Sequence, residues 1–88
     1  ADPMFYNIMG KDAEALKNFG QAEACFKQAS YMVPHRLYPL YLLAKMYFES
    51  GQPEKGRDMA RQVIQKAPKV MSDAVKEMKA ELKERLQP

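Results

Sequence analysis

Apolar residues recur every three or four positions along most of the chain, the spacing of helices with one face buried. The pattern is densest over residues 37–48. Leu37, Leu40, Tyr41, Ala44, Tyr47 and Phe48 fall at helical spacing, and Leu43 and Met46 add a second apolar flank. A helix that is apolar on more than one side is sandwiched between neighbours, which places this segment mid-fold. Gly51 follows as a left-handed stop, and Gln52-Pro53 restarts the chain with proline at a first helical position. The next segment puts Gly56, Met59, Ala60, Val63, Ile64 and Ala67 on one face before Pro68 ends it. Small residues at Gly56 and Ala60 allow its backbone to approach the preceding helix closely, so the spacing predicts a tightly packed helical hairpin.

Sliding the sequence along itself until Pro34 falls on Pro68 brings an earlier hairpin into register. Ala29 then falls on Val63, Phe26 on Ala60 and Ala22 on Gly56; further back, Gly10 falls on Ala44, Met9 on Leu43 and Tyr6 on Leu40. Small residues match small ones, large apolar residues mostly match large ones, and both units end in proline. In this period and these marks the chain resembles the tetratricopeptide repeat (TPR) over almost its whole length. Three positions depart from the family pattern. No tryptophan opens either unit, Ala13 stands where Tyr47 supplies the usual tyrosine, and Ala60 is small where the family prefers bulk. The resemblance implies an all-α fold of two antiparallel helix hairpins, residues 4–34 and 37–68, closed by a C-terminal capping helix over 72–86. It also implies a non-catalytic protein–protein interaction module.

The chain then divides into five predicted helices near residues 4–17, 19–33, 37–50, 53–67 and 72–86, each end good to about two to four residues. Ala1-Asp2-Pro3 reads as a vector remnant ahead of Met4 and is set aside. Phe5, Ile8, Met9, Ala13 and Leu16 are available for packing in the first helix. Asn18 is the expected N-cap of the second, with Gln21 closing a capping box, and Phe19, Ala22, Phe26 and Ala29 are its expected core. In the last helix Ser72 is the expected N-cap, and Asp73 in the first turn suits the helix dipole. Met71, Val75, Met78, Leu82 and Leu86 form its apolar stripe. A helical array exposes apolar surface at its end unless something covers it, and this stripe is the expected cover.

Length and composition narrow the classes. Eighty-eight residues make one small domain, and 47% hydrophobic with 28% charged residues is the balance of a folded module. A net charge of +3 slightly favours acidic partners but falls far short of a nucleic-acid surface. Cys25 is the single cysteine, so no internal disulfide forms. No apolar run approaches the ~18 residues of a membrane span. Seven methionines read as gap-fillers of helical cores, with an adaptable Met-lined binding surface as the alternative.

Little points to chemistry. His35, the single histidine, sits in a turn with no cysteine or carboxylate at ligand spacing, and Cys25 has no histidine beside it. Gly10, Gly20, Gly51 and Gly56 are isolated and make no phosphate loop. No cofactor, metal or catalytic residue is expected. One pattern suggests binding: Lys11, Lys45 and Lys79 recur at the same period as the hairpins, which the repeat register puts on one inner face. Asn7 lies one turn before Lys11, and Tyr41 and Phe48 flank Lys45. Asn7, Lys11, Tyr41, Lys45, Phe48 and Lys79 are therefore the candidate peptide-binding residues, for a protein or peptide partner of acidic character. The same lysines also read as solvated helix positions that merely keep the face soluble. A homodimer burying Tyr41 and Phe48 is the alternative, since fewer than about three repeats are seldom stable alone. The family's clamp for a C-terminal carboxylate places lysine before asparagine, whereas here Asn7 precedes Lys11.

From Val33 onward the wording is more specific. VPHRLYPLYLLAKMYFESG followed by PKVMSDAVKEMKAEL is similar to the soluble C-terminal tail of bacterial O-antigen ligase or polymerase-family membrane proteins. Pro34, Arg36, Tyr38, Pro39, Tyr41, Leu42, Tyr47, Lys69, Val70 and Ser72 carry that likeness. It implies a parent in the bacterial inner membrane whose glycan-transfer chemistry lies outside this sequence, so it lends no catalytic residue here.

Overall fold

Five segments of the chain can satisfy their own backbone as helices, and all five do. The computed structural model describes residues 2–68 and 71–87, with α1 Pro3–Ala15, α2 Phe19–Met32, α3 Tyr38–Glu49, α4 Pro53–Gln65 and α5 Asp73–Leu86. No strand occurs among the described residues. Every helix boundary falls within two residues of the sequence expectation. Ala1, Lys69, Val70 and Pro88 lie outside the described residues, and with them one residue of the expected remnant and two that carry the ligase likeness.

Capping explains where the helices start. Asn18 Oδ1 accepts from the backbone of Gln21, and Ser72 Oγ accepts from the backbone of Val75 at 3.2 Å, so both expected N-caps form. The Gln21 side chain departs from the capping box. It accepts from the Asn18 side-chain amide at 2.9 Å instead of reaching back to the cap's backbone. Asp2 and Pro3 are also part of the fold. Asp2 Oδ1 accepts from Met4 N at 2.9 Å and Pro3 occupies a first helical position, so these two residues cap α1.

The two hairpins end their first helices in the same way. Asn18 N donates to Ala13 O at 2.8 Å, and at the matching place in the second hairpin Gln52 N donates to Tyr47 O at 2.9 Å. Leu16 N to Asp12 O is matched by Ser50 N to Met46 O, and Ala22 N to Asn18 O by Gly56 N to Gln52 O. Between them sit the chain's left-handed residues among those described, Lys17 at φ 61° and Gly51 at φ 77°. Glycine takes that conformation freely, whereas lysine takes it against a steric cost of roughly 1 kcal/mol.

Packing follows the hairpins. α1 lies mainly on α2 and α3 mainly on α4, while α2 joins α3 and α4 joins α5. The odd-numbered helices also approach in succession, α1 to α3 and α3 to α5, whereas the backbones of α2 and α4 stay further apart among the described residues. The array therefore bends toward its odd-numbered side. One core cluster joins Ala13, Ala22, Phe26, Leu42, Leu43, Met46 and Tyr47; a second joins Leu37, Ala44, Ala60, Val63 and Leu82. Val75, Met78 and Leu86 pack on the second, so α5 covers the α3–α4 hairpin. Met71, expected on the same stripe, is half-exposed because it precedes α5.

Glycine sets the closest approach in each hairpin, from opposite helices. A Cβ on Gly10 of α1 would lie 2.4 Å from the Phe26 ring of α2. A Cβ on Gly56 of α4 would lie 3.0 Å from the Phe48 ring of α3. The bulk that Ala60 lacks is thus supplied one turn earlier by an aromatic from the facing helix. The first helix differs from expectation on its outer side, where Phe5, Ile8 and Leu16 are exposed (55%, 53% and 82%). None of the described residues lies beyond α1 to bury them.

Candidate inner-face groove

Helical spacing on the odd-numbered helices lines up two rows. Met4, Asn7, Lys11 and Glu14 recur along α1, and Tyr38, Tyr41, Lys45 and Glu49 along α3. Between these rows and α5 run two clefts. The larger, about 840 Å³, is bounded by Met4, Leu37, Tyr38, Tyr41, Val75 and Met78, with Arg36, Glu77 and Glu81 at its edges. The smaller, about 540 Å³, is bounded by Lys11, Glu14, Lys17, Tyr38, Tyr41, Lys45 and Glu49. Both are lined by Tyr38 and Tyr41, so the two clefts adjoin at a pair of tyrosines and are treated together as the inner-face groove. Those rings stack with centroids 6.1 Å apart and planes inclined by 28°. An i, i+3 relation along α3 puts them side by side.

The middle of the groove is polar and already paired. Tyr41 Oη donates to Glu81 at 2.8 Å, Lys45 Nζ donates to Tyr41 Oη at 3.2 Å, and Lys45 also lies 3.1 Å from Glu81. The ammonium sits 5.0 Å from the centre of the Tyr41 ring as well. Burial raises the Tyr41 phenol, and the Glu81 hydrogen bond raises it further against the opposing pull of Lys45. Burial alone would lower Lys45, but its hydrogen bonds to Tyr41 and Glu81 outweigh that and raise it. Burial alone would raise Glu81, but its bonds from Lys45 and Tyr41 hold it below the usual carboxylate range. The trio ties α3 to α5.

At the far end the Glu14 carboxyl is pushed up to about 7, first by burial and then by the neighbouring Glu49 carboxyl, against the opposing charges of Lys45 and Lys11. On the outer side Tyr47 Oη donates to Glu23, which joins α3 to α2. Burial and then that bond raise the Tyr47 phenol, and the same bond is the main force lowering Glu23.

The expected row of three lysines does not form. Lys11 and Lys45 line the groove, but Lys79 turns to α4. Its Nζ donates to Ile64 O at 3.0 Å and Lys66 O at 2.7 Å, so a cation occupies the negative end of that helix. α5 presents Met78 and Glu81 to the groove instead, since its rotation is fixed by burying Leu82. Phe48 also leaves the inner face. It packs on Gly56 with the Arg85 guanidinium 5.3 Å from its ring centre, and it lines neither cleft. Asn7 belongs to the α1 row but is only 5% exposed, and its amide oxygen has no hydrogen-bond partner among the described residues. Tyr41 lies in the groove as expected.

Sequence reasoning passed over Tyr38, Glu14, Glu49 and Glu81. The first three were signalled by spacing, since Tyr38 and Glu49 continue the stripe of Tyr41 and Lys45, and Glu14 that of Lys11. Glu81 was not, because its place depends on how α5 docks.

Among the described residues no group of three or more histidine, cysteine or acidic side chains is placed to hold a metal ion, and no helix is long and apolar enough to cross a membrane. Comparison with known protein families, with curated proteins and with solved structures found no match.

Proposed function

We propose that the chain is a TPR-like interaction module whose inner-face groove takes an extended or helical peptide segment. The observation that carries this reading is the pair of clefts adjoining at Tyr38 and Tyr41, one apolar through Met4, Leu37, Val75 and Met78 and the other charged. Aromatic side chains in a concave setting are the usual anchors of peptide recognition. The recurrence of the same hairpin hydrogen bonds in the repeat register supports the repeat reading. A link to the soluble tail of a glycan ligase or polymerase rests on the sequence likeness alone.

The ligand's electrostatics are less acidic than the lysine spacing alone suggests. Lys45 is neutralised by Glu81 and Lys79 is engaged with α4, so the apolar anchor dominates, and Lys11 and Lys17 at one end with Arg36 at the other provide what anion preference there is. The test begins with selection of a binding peptide from a displayed library and its titration against variants. Tyr38→Ala should lose roughly 2 kcal/mol or more of affinity, whereas Arg61→Ala on α4 should lose none. Loss on Arg61→Ala with Tyr38→Ala unaffected refutes the groove.

A second reading, self-association, has one specific observation behind it. Met4, Phe5 and Ile8 are about half-exposed on α1, whereas Pro39 and Leu42, the counterparts of Phe5 and Ile8 in the second hairpin, are buried. A second copy laid on this face would bury them. Sedimentation at several concentrations tests it, and a monomer throughout excludes it.

A further inference from the structure

Three side chains meet where the two clefts adjoin. Tyr41 lines both clefts, Lys45 the smaller and Glu81 the larger. One Glu81 oxygen accepts from Tyr41 Oη at 2.8 Å, and the other lies 3.1 Å from Lys45 Nζ. The two donors sit on successive turns of α3 and are joined by the 3.2 Å bond from Lys45 Nζ to Tyr41 Oη. They are therefore a preformed pair matched to the two oxygens of a single carboxylate, and only the carboxylate comes from another helix. We propose that Tyr41 Oη and Lys45 Nζ form a carboxylate subsite that Glu81 of α5 fills in the free chain, and that an acidic group of a groove ligand takes it by displacing Glu81.

The exchange replaces one carboxylate by another, so its cost is small. The side chains of Lys45 and Glu81 are 31% and 40% exposed, and an ion pair this open shifts an equilibrium by about fivefold or less. α5 does not depend on Glu81 to stay docked, because Leu82 is fully buried and Lys79 bonds Ile64 O and Lys66 O. A displaced Glu81 also has a second cation to meet. Arg85 follows one turn later on α5, stands over the Phe48 ring and makes no ion pair among the described residues. An acid four residues ahead of a base is the favourable order on a helix. Around the two clefts Arg36, Lys11 and Lys17 favour an approaching acid while Glu77, Glu14 and Glu49 oppose it, so selection falls to the donor pair. That the acid belongs to a peptide rests on the peptide-groove reading. The subsite itself does not, and its test contains no peptide.

The experiment titrates the whole chain with acetate, chloride holding the ionic strength constant, and follows the Tyr41 ring and the Lys45 side chain by NMR. Glu81→Ala empties the subsite, so acetate should move both signals with an apparent affinity up to about fivefold above the parent's. Glu81→Gln keeps the side chain's shape without its charge and should fall between the two; it carries the comparison if the alanine loosens α5. Adding Tyr41→Phe to Glu81→Ala removes the hydroxyl donor and should weaken the response several-fold. Lys11 and Lys17 report anion attraction without the donor pair, and their signals should respond alike in every variant. N-acetylglycine, with a terminal carboxylate, and N-acetylaspartic acid α-amide, with a side-chain one, then show which source the subsite prefers, and binding of either supports it. Equal affinity in the parent and both Glu81 variants overturns the proposal. So does movement of Tyr41 and Lys45 no greater than that of Lys11 and Lys17. Failure to select any binding peptide would instead count against the groove reading and leave the acetate result standing.

Discussion

Gly10→Ala adds one methyl group at the most crowded of the chain's glycines. Its carbon would stand 2.4, 2.7 and 2.9 Å from three atoms of the Phe26 ring. Carbon atoms in contact prefer ~3.5–4.0 Å, so the ring would have to retreat by about 1 Å. It has nowhere to go, because Phe26 is fully buried among Ala13, Ala22, Leu43 and Met46. Overpacking of this kind costs about 1–3 kcal/mol, and the better helix propensity of alanine returns up to ~1. A net loss of about 1–2 kcal/mol is expected from a domain whose whole stability is of the order of 5. Gly20→Ala is the internal control, since no atom lies within 4 Å of a Cβ there. It should be neutral or stabilise by up to ~1 kcal/mol. With a urea slope of about 1 kcal/mol/M, the Gly10→Ala midpoint should fall by about 1–2 M while that of Gly20→Ala holds or rises. If the two variants melt alike, the close approach of α1 to the Phe26 ring is wrong.

Three further substitutions test how the helices end. Lys79→Met removes the cation that bonds Ile64 O and Lys66 O while keeping most of the aliphatic stem; a partly buried site should lose about 1–2 kcal/mol in thermal or urea melts, and an unchanged melt would return Lys79 to solvent. Lys17→Gly relieves a left-handed lysine at φ 61° and should stabilise by up to ~1 kcal/mol, whereas Gly51→Ala, at φ 77°, should destabilise by a similar amount.

The helices were legible because their signals are local. Asn18, Ser72, Gly51 and Pro53 mark ends through their own backbone chemistry, and apolar spacing marks the buried stripe. The site was legible only in part because facing depends on partners. Phe48 and Lys45 occupy successive turns of α3, yet Phe48 is drawn onto the space above Gly56 while Lys45 stays over Tyr41. Lys79 keeps the repeat spacing but not the face, since α5 rotates to bury Leu82 and the free carbonyls of α4 attract the ammonium. The apolar residues Phe5 and Ile8 look like core when only their spacing is considered. Which helix, if any, lies beyond α1 is not encoded in α1.

A peptide seated across Tyr38 and Tyr41 would perturb the backbone on both sides of the groove. An amide chemical-shift map of the chain, titrated with a peptide selected against it, reads this out. The largest changes should fall on the backbone of Tyr38, Tyr41, Lys11 and Met78, lining residues of the two clefts from three helices distant in sequence. Changes confined to α2 and α4, for instance around Gln28 and Arg61 on the outer layer, would contradict it.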